Sequence, residues 1–323
     1  MRTRADFDLP AELRPVYRRA RRLEWVSLAL MATVIVAIYL TMGSSQTMKA
    51  AWIEDLLSLV PPIAFLVSAH WWDRAPNDEF PYGYHRSASI AFLAGAVALT
   101  IFGLFILIDS LLGLVQGTRP TIGTRVVFGH TLWAGWLMIA ALAYGTVVPL
   151  ALGRMKLPLA RRLNDKTLKA DADMNRADWL TGLAGIAGVL GVGMGWWWAD
   201  ATAAGIISLD ITADGLKNLS RVVRDLMDQR PETVDGEVSD LPERVAARLR
   251  ELDWVDKADV RLREEGHLIS GEAFLQLRER RGQDVAARLE QASRAARQVD
   301  WRIREVICTV VDDLGARNAS SGS

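Results

Sequence analysis

The chain has 323 residues, half of them hydrophobic, with twelve tryptophans and a formal net charge of zero at neutral pH. This balance of charge gives no support to nucleic acid or to a strongly charged macromolecule as a partner. Cys308 is the only cysteine, which excludes an intramolecular disulfide and the disulfide-rich secreted class.

Six apolar segments follow the N-terminal tail, and each is long enough to form a helix that crosses a bilayer, which requires about 20 residues. They are residues 25–43, 51–72, 88–116, 129–152, 171–195 and 197–219. The sequence therefore predicts an all-α, six-helix transmembrane domain over residues 25–220.

Basic side chains are concentrated in alternate connections between these segments. Seven arginines precede the first segment and six basic residues lie in 153–169, whereas 44–50 and 117–127 hold three between them. Because loops rich in Lys and Arg stay in the cytoplasm, we predict that both termini are cytoplasmic and that the protein lies in the plasma (inner) membrane. Residues 1–24 mix charges of both signs, so we expect a cytoplasmic tail there and not a secretory signal.

Beyond about residue 220 the apolar runs give way to closely spaced Asp, Glu and Arg. The spacing of apolar residues predicts a helix, two strands, a helix and a strand, in this order. The segments are residues 241–252, 257–266, 270–280, 282–300 and 301–313. Since this order is typical of an α+β layer, we predict a small cytoplasmic α+β domain over residues 231–314 and a disordered tail over 315–323.

Acidic side chains inside the predicted spans need a compensating interaction, because a charge at the bilayer centre costs about 2.5–3.5 kcal/mol on insertion scales. In the fifth span, four side chains at spacings i, i+3, i+4 and i+7 share one helix face: Asp171, Met174, Asn175 and Asp178. Asp178 is too far from the helix start to be a cap, so it needs a partner, a proton or a cation. Asp171 has a second interpretation as a cap or a solvated helix end, and Asp173 points away from this face.

The second span carries an acidic pair, Glu54 and Asp55. Neighbouring residues lie about 100° apart around a helix, so the two side chains face different ways, and Asp55 is the stronger candidate for a cation ligand. Pro61 and Pro62 are expected to interrupt the backbone hydrogen bonds just past Asp55. In the fifth span glycine recurs at every third position over 182–191, which predicts close packing against another helix.

Three stretches of the chain, together with the six spans, resemble the cation diffusion facilitator family. They are FPYGYHRSASIAFLAG after the second span, LKADADMNRADWLTG in the fifth and WWWADATAAGIISLDITADGLKNL in the sixth. The resemblance covers nearly the whole chain. It implies a homodimeric, proton-coupled exporter of divalent metal cations, with a small cytoplasmic tail of the ferredoxin-like type and no enzymatic activity.

The family's central metal site joins two acidic residues four apart in span two to a His and an Asp four apart in span five. By this resemblance Asp55 and Asp178 occupy two of the four ligand positions, and Leu59 and Met174 occupy the other two. Leu59 offers no donor atom to a metal. Three further candidates come from their position alone, since the resemblance does not imply them: Asn175, Asp171 and Glu54.

Two other places in the chain carry side chain types that bind metals in this family. The connection after the second span contains His70, Asp73, Asp78, Glu79 and His85. We interpret it as a solvated polar turn shaped by two prolines, with a second metal site as the alternative. In the tail we interpret His267 as a surface residue and Cys308 as a core residue, so a tail that holds several zinc ions is not predicted.

The predicted site contains carboxylate and amide oxygens and one thioether, without imidazole. Oxygen donors suit Mn²⁺ and Mg²⁺, whereas Zn²⁺ usually takes four nitrogen or sulfur ligands. We therefore predict efflux of Mn²⁺, Mg²⁺ or Fe²⁺ in preference to Zn²⁺, by alternating access around a central site where protons compete for the carboxylates. The predicted partners are the divalent cation, protons, the lipid bilayer and a second copy of the chain, without a cofactor or nucleic acid.

Two alternatives stay open. A chain with two of the family's ligand positions changed could bind metal without moving it, as a sensor or a membrane-anchored regulatory protein. It could also exchange a monovalent cation for protons through the same acidic helix face.

Overall fold

The computed structural model describes residues 10–71, 77–81, 83–84, 86–127, 129–233, 235–265, 268–278 and 284–314. These residues divide into a helical unit, Pro15–Val223, and a second unit that follows from Arg224. The helical unit contains the predicted spans, and the second unit contains the predicted α+β elements.

Within these ranges, the helices of the first unit are α1 (Arg14–Thr41), α2 (Gln46–Leu57), α3 (Val60–Trp71), α4 (Ser87–Gln116), α5 (Ala134–Leu163), α6 (Lys166–Gly193) and α7 (Ala199–Leu226). A short antiparallel hairpin, β1 (Thr124–Val127) and β2 (His130–Trp133), precedes α5. Four helical segments of the described chain are long and apolar enough to cross a bilayer: Arg14–Thr41, Gln46–Val67, Ser89–Gln116 and Ala134–Leu163. The helices α6 and α7 have 28 residues each, which is also long enough for a crossing.

The second predicted span consists of two helices. α2 ends at Leu57 and α3 begins at Val60. Pro61 and Pro62 lie in the first turn of α3, where the missing N–H groups would have no partner within the helix anyway. The interruption just past Asp55 that the prolines predicted is therefore confirmed.

Two helices extend beyond the predicted spans. α1 begins at Arg14, inside the predicted tail of residues 1–24. The predicted connection 153–169 is helical except for Asn164 and Asp165. Leu, Ala, Arg and Lys are all good helix formers, so both helices continue from apolar into charged sequence, and hydropathy alone does not mark where they end.

The helix that carries Asp55 is enclosed on two sides. Ala51 of α2 packs in a cluster with residues of α1, α5 and α6, among them Ile38, Leu142 and Val189. Its neighbour Ala50 packs in a second cluster with α4 and α7 residues: Leu99, Ile106, Ala204, Ile207 and Ile211. The Asp55 side chain is therefore removed from lipid by helices of the protein itself.

The glycines of the fifth predicted span allow close approach, as predicted. A Cβ added at Gly182 would lie 1.8 Å from Thr146 Oγ1 on α5, and one at Gly188 would lie 2.6 Å from the Ala203 Cβ on α7. The bare glycine face of α6 therefore contacts both α5 and α7. α5 and α6 run antiparallel from a two-residue turn at residues 164–165.

An aspartate that the sequence analysis did not single out holds the first turn of α2. Asp200, at the start of α7, accepts hydrogen bonds from Ser45 Oγ at 2.5 Å, from the Gln46 N–H at 2.7 Å and from the Thr47 N–H at 3.3 Å. The first N–H groups of a helix lack partners within the helix. Asp200 supplies this partner from another helix, which accounts for its burial.

The second unit has the predicted element order: α8 (Leu241–Arg250), β3 (Val255–Glu265), β4 (Leu268–Leu277), α9 (Val285–Arg297) and β5 (Ile303–Val311). The sheet has the order β3-β4-β5, with β3 antiparallel and β5 parallel to β4. Alternate β4 residues, Ile269, Ala273 and Leu275, share one core with Leu249 of α8 and Ala292 of α9. Both helices therefore cover one face of a sheet that has three strands within the described residues, and a ferredoxin-like fold is not confirmed.

Candidate functional site

Asp55 is a buried carboxylate beside a small cavity in the helical unit. Its side chain is 6% exposed, and a Cβ at Gly145 of α5 would lie 3.7 Å from its Oδ2. The cavity is lined by Asp55 and the buried Thr181 together with half-buried Glu54 and Thr146, and about 20 Å³ of it is open to the centre of a water molecule. This space accommodates one water or one small ion.

No described residue donates a hydrogen bond to the Asp55 carboxylate. A buried carboxylate without a partner is costly, so such groups hold a proton, pair with a cation or bind a metal. Of the described acidic residues that line this cavity, Asp55 is therefore the one whose charge most needs a proton or a cation from outside the chain.

Two threonines line the same cavity, and they differ in whether the hydroxyl already has a hydrogen-bond partner. The Thr146 hydroxyl donates to the carbonyl of Leu142 on its own helix at 2.8 Å. Thr181 on α6 is 6% exposed, and no hydrogen-bond partner is found for its hydroxyl within the described ranges. Thr181 thus offers an oxygen to the cavity from the helix opposite Asp55.

Asp178 is one helical turn before Thr181 on α6. Residues three apart lie on the same face of a helix. The side chain of Asp178 lies outside the described residues, so the predicted pairing of Asp178 with Asp55 stays a prediction.

Met174 lines a different cavity. Its neighbours there are Leu57 and Val60, which flank the interruption between α2 and α3, and Asn218 of α7. About 10 Å³ of this cavity is open to the centre of a water molecule. Met174 is not among the residues that line the Asp55 cavity, and its place in the metal site stays a prediction.

Asp171 and Asn175, on the N-terminal part of the predicted α6 face, belong to a buried ionic network. Lys156 Nζ donates to Glu24 Oε2 at 3.0 Å, to Ser27 Oγ at 2.7 Å and to Asp171 Oδ2. Asn175 Nδ2 donates to Asp171 Oδ1 at 3.0 Å. The Lys156 ammonium therefore offsets the charge of Asp171, and the two predicted ligands have partners within the protein.

The sequence analysis missed Lys156 because it placed this residue in a loop. In an antiparallel pair of helices, positions equally far from the turn lie opposite each other. Lys156 lies eight residues before the turn at 164–165 and Asp171 six residues after it, and Thr146 and Gly182, which are in contact, lie 18 and 17 residues from it. Each pair is therefore only nearly opposite, and this approximate symmetry about the turn is the signal that could have found the ion pair.

The remaining predicted positions fall into three groups. Asp78 and Glu79 are exposed, and the side chains of His70, Asp73, His85 and His267 lie outside the described residues. Asp173 pairs with Lys169 on the surface at 2.9 Å, away from the Asp55 cavity as predicted. In the part of the chain that the structure describes, no group of three or more His, Cys, Asp or Glu side chains could hold a metal ion.

Comparison with known proteins identifies the family. A model of the cation efflux transmembrane domain matches residues 24–227. The chain belongs to the cation efflux family. It is a transporter of metal cations in the membrane and not an enzyme, and the predicted resemblance to cation diffusion facilitators is confirmed.

Two relatives in this family come from Bacillus subtilis (strain 168). The chain is 27% identical over 252 residues to the manganese efflux system protein MneP, an alignment that covers 74% of this chain and 78% of that protein. It is 24% identical over 179 residues to the manganese efflux system protein MneS, covering 54% of this chain and 58% of that protein. The names of both relatives describe manganese efflux.

Proposed function

We propose that this protein exports a divalent metal cation across the plasma membrane in exchange for protons. The proposed substrate is Mn²⁺, with Mg²⁺ or Fe²⁺ as the next candidates, and all three are preferred to Zn²⁺. The observation that carries the proposal is Asp55, a buried carboxylate that receives no hydrogen bond from a described residue and borders a cavity for one small ion. A transported cation supplies the missing counter-charge.

The proposed ligands are the carboxylates of Asp55 and Asp178 and the hydroxyl of Thr181, with Glu54 at the rim of the cavity. All of these donors are oxygens, which suit Mn²⁺ and Mg²⁺ better than Zn²⁺. The names of the two manganese efflux relatives favour Mn²⁺ within this group. Asp171 and Asn175 are omitted from the ligand set because Lys156 already engages them.

The proposed mechanism is alternating access with all six predicted spans crossing the membrane and both termini in the cytoplasm. A cation from the cytoplasm binds the carboxylates, and opening to the outside then exposes them to protons that displace the cation. In this cycle cation and proton in turn offset the cost of burying the Asp55 charge. The α+β unit is proposed to hold two copies together, as the resemblance implies.

The test is metal-dependent proton flux in proteoliposomes that contain the purified full-length protein. Mn²⁺ should drive proton movement in the opposite direction, and Asp55→Asn should abolish it because the amide retains the shape but not the charge. Asp173→Asn is the matched control, since Asp173 is an exposed aspartate paired with Lys169.

Three outcomes would contradict the proposal. A folded wild-type protein that binds Mn²⁺ without moving protons would favour a sensor. Proton flux driven by Na⁺ or K⁺ alone would favour a monovalent cation antiporter. Full activity of Asp55→Asn would place the cation elsewhere in the chain.

A further inference from the structure

The Lys156 network joins three helices outside the proposed cation site. Glu24 and Ser27 lie on α1, Lys156 on α5 and Asp171 on α6, and the side chains of Lys156, Glu24 and Asp171 are 0%, 0% and 3% exposed. An ammonium has three N–H donors, and here each of them has a partner from α1 or α6. These hydrogen bonds therefore set how far α1, α5 and α6 are displaced along their axes relative to one another.

Net stability is a weak explanation for such a network. A buried ion pair gains little over well-packed apolar side chains of similar volume, because both charges lose their hydration. α5 and α6 already pack closely through Gly182 and Thr146 without it. The best-attested use of a buried polar group between helices is to fix register.

The glycine face of α6 has a particular need for a register device. Glycine recurs at every third position of this face, so a side chain of α5 that fits beside Gly182 would also fit beside Gly185 one turn further along, and the glycines alone do not select one register. One helical turn of sliding is about 5.4 Å, which is more than the width of an ion site. A network that permits only one axial position removes this freedom.

The hydrogen bonds also extend toward the proposed cation site. Asn175 is 2% exposed and donates to the second oxygen of Asp171, one turn further along α6. Asp178 follows Asn175 by three residues, and Thr181 follows Asp178 by three more. The axial position that Lys156 imposes on α6 is therefore passed along the helix that carries two of the proposed ligands.

We propose that Lys156 is a positioning residue for transport, which fixes the register of α6 against α1 and α5 and so aligns the α6 ligands with Asp55 on α2. The expected effect of Lys156 on transport rests on the proposed function. Its expected effect on helix register does not. Loss of a partner that orients metal ligands typically lowers metal affinity about 10- to 100-fold.

Register is measured by disulfide cross-linking in a Cys308→Ser background. A Cβ at Gly182 would lie 3.1 Å from the Thr146 Cβ, near the range of about 3.5–4.5 Å found in disulfides, so Thr146→Cys with Gly182→Cys should cross-link. Thr146→Cys with Gly185→Cys reports a register displaced by one turn and should not cross-link. Adding Glu24→Gln, Lys156→Met and Asp171→Asn removes all three charges together, and the displaced pair should then cross-link as well.

Transport kinetics give the second readout. The charge-free triple variant, without added cysteines, should retain its thermal unfolding midpoint within a few degrees but show a KM for Mn²⁺ at least tenfold higher. Arg294→Met is the control, because Arg294 is an exposed basic residue whose ion pair with Glu290 stays within one helix, α9. It should leave register and KM unchanged.

A triple variant that cross-links only in the native register, or that retains the wild-type KM, would overturn the proposal. If the triple variant does not fold, Lys156→Arg decides instead, since it keeps the charge but replaces the compact ammonium by a longer planar fork. We expect a raised KM in Lys156→Arg, and a wild-type KM there would reduce the network to a stabilising role and overturn the proposal. Cross-linking measures register whether or not the protein transports a cation. A wild-type protein that moves no divalent cation would therefore refute the proposed function, while the cross-linking result would still decide whether Lys156 fixes the register.

Discussion

Thr181→Val gives a direct test of the oxygen ligand set. The substitution exchanges a hydroxyl for a methyl of similar size at a side chain that is 6% exposed and lines the Asp55 cavity. Packing is preserved, and one oxygen is lost from a space that accommodates a single small ion. A hydrogen bond to a charged group contributes about 1.5–3 kcal/mol, and we expect a hydroxyl ligand to contribute similarly to the binding of a cation. The affinity for Mn²⁺ should therefore fall about 10- to 150-fold.

The assay is the concentration dependence of Mn²⁺ flux in proteoliposomes, with thermal unfolding in detergent as the measure of folding. Thr181→Ser retains the oxygen and should keep most of the affinity. Thr202→Val is the matched control, because the Thr202 hydroxyl on α7 donates to the Trp198 carbonyl at 2.9 Å and takes no part in the cavity. A wild-type KM in Thr181→Val, or an equal loss in Thr181→Ser, would refute the assignment of this hydroxyl to the cation.

Further predictions concern packing and topology. Gly182→Ala should destabilise the protein by about 1–3 kcal/mol in thermal unfolding, because the new Cβ would lie 1.8 Å from Thr146 Oγ1, and Thr146→Ala should recover much of the loss. Thr121→Cys should react with a membrane-impermeant thiol reagent in intact cells and Glu237→Cys only after permeabilisation; the reverse pattern would invert the proposed orientation. Native Cys308 should add little labelling at pH 7, because burial raises the pKa of its thiol to about 11, and its labelling should increase as the pH is raised toward that value.

The free-energy cost of burying a carboxylate is offset in different ways at three aspartates of the helical unit. Asp200 accepts three hydrogen bonds from the first residues of α2 and the residue before them. Asp171 contacts the Lys156 ammonium and the Asn175 amide. Asp55 has neither kind of partner among the described residues. Asp200 and Asp171 are thus satisfied by partners within the chain, whereas no described residue satisfies Asp55.

The local sequence pattern was sufficient to predict most of the helices and strands. The third predicted span, residues 88–116, is α4, Ser87–Gln116, because a long apolar run is a property of consecutive residues. The order helix, strand, strand, helix, strand in the tail follows from local periodicity in the same way. The interruption after Asp55 was predictable from two prolines, since the missing N–H groups act on the nearest turns.

The partner of each polar side chain was decided by tertiary structure. Spacing alone put Met174 and Asp171 on one helix face with Asp178, but Met174 contacts a cavity shared with α7, and Asp171 contacts a lysine from α5. Spacing along one helix says which side chains share a face and nothing about which neighbouring helix covers each part of that face. By itself, the sequence determined the membrane helices, the family resemblance and Asp55 as a buried acid, because these depend on neighbours in the chain. The packing of α2, α5 and α6 decided that Asp55 meets Thr181 across a cavity and that Asp171 meets Lys156, because those contacts join residues distant in the chain.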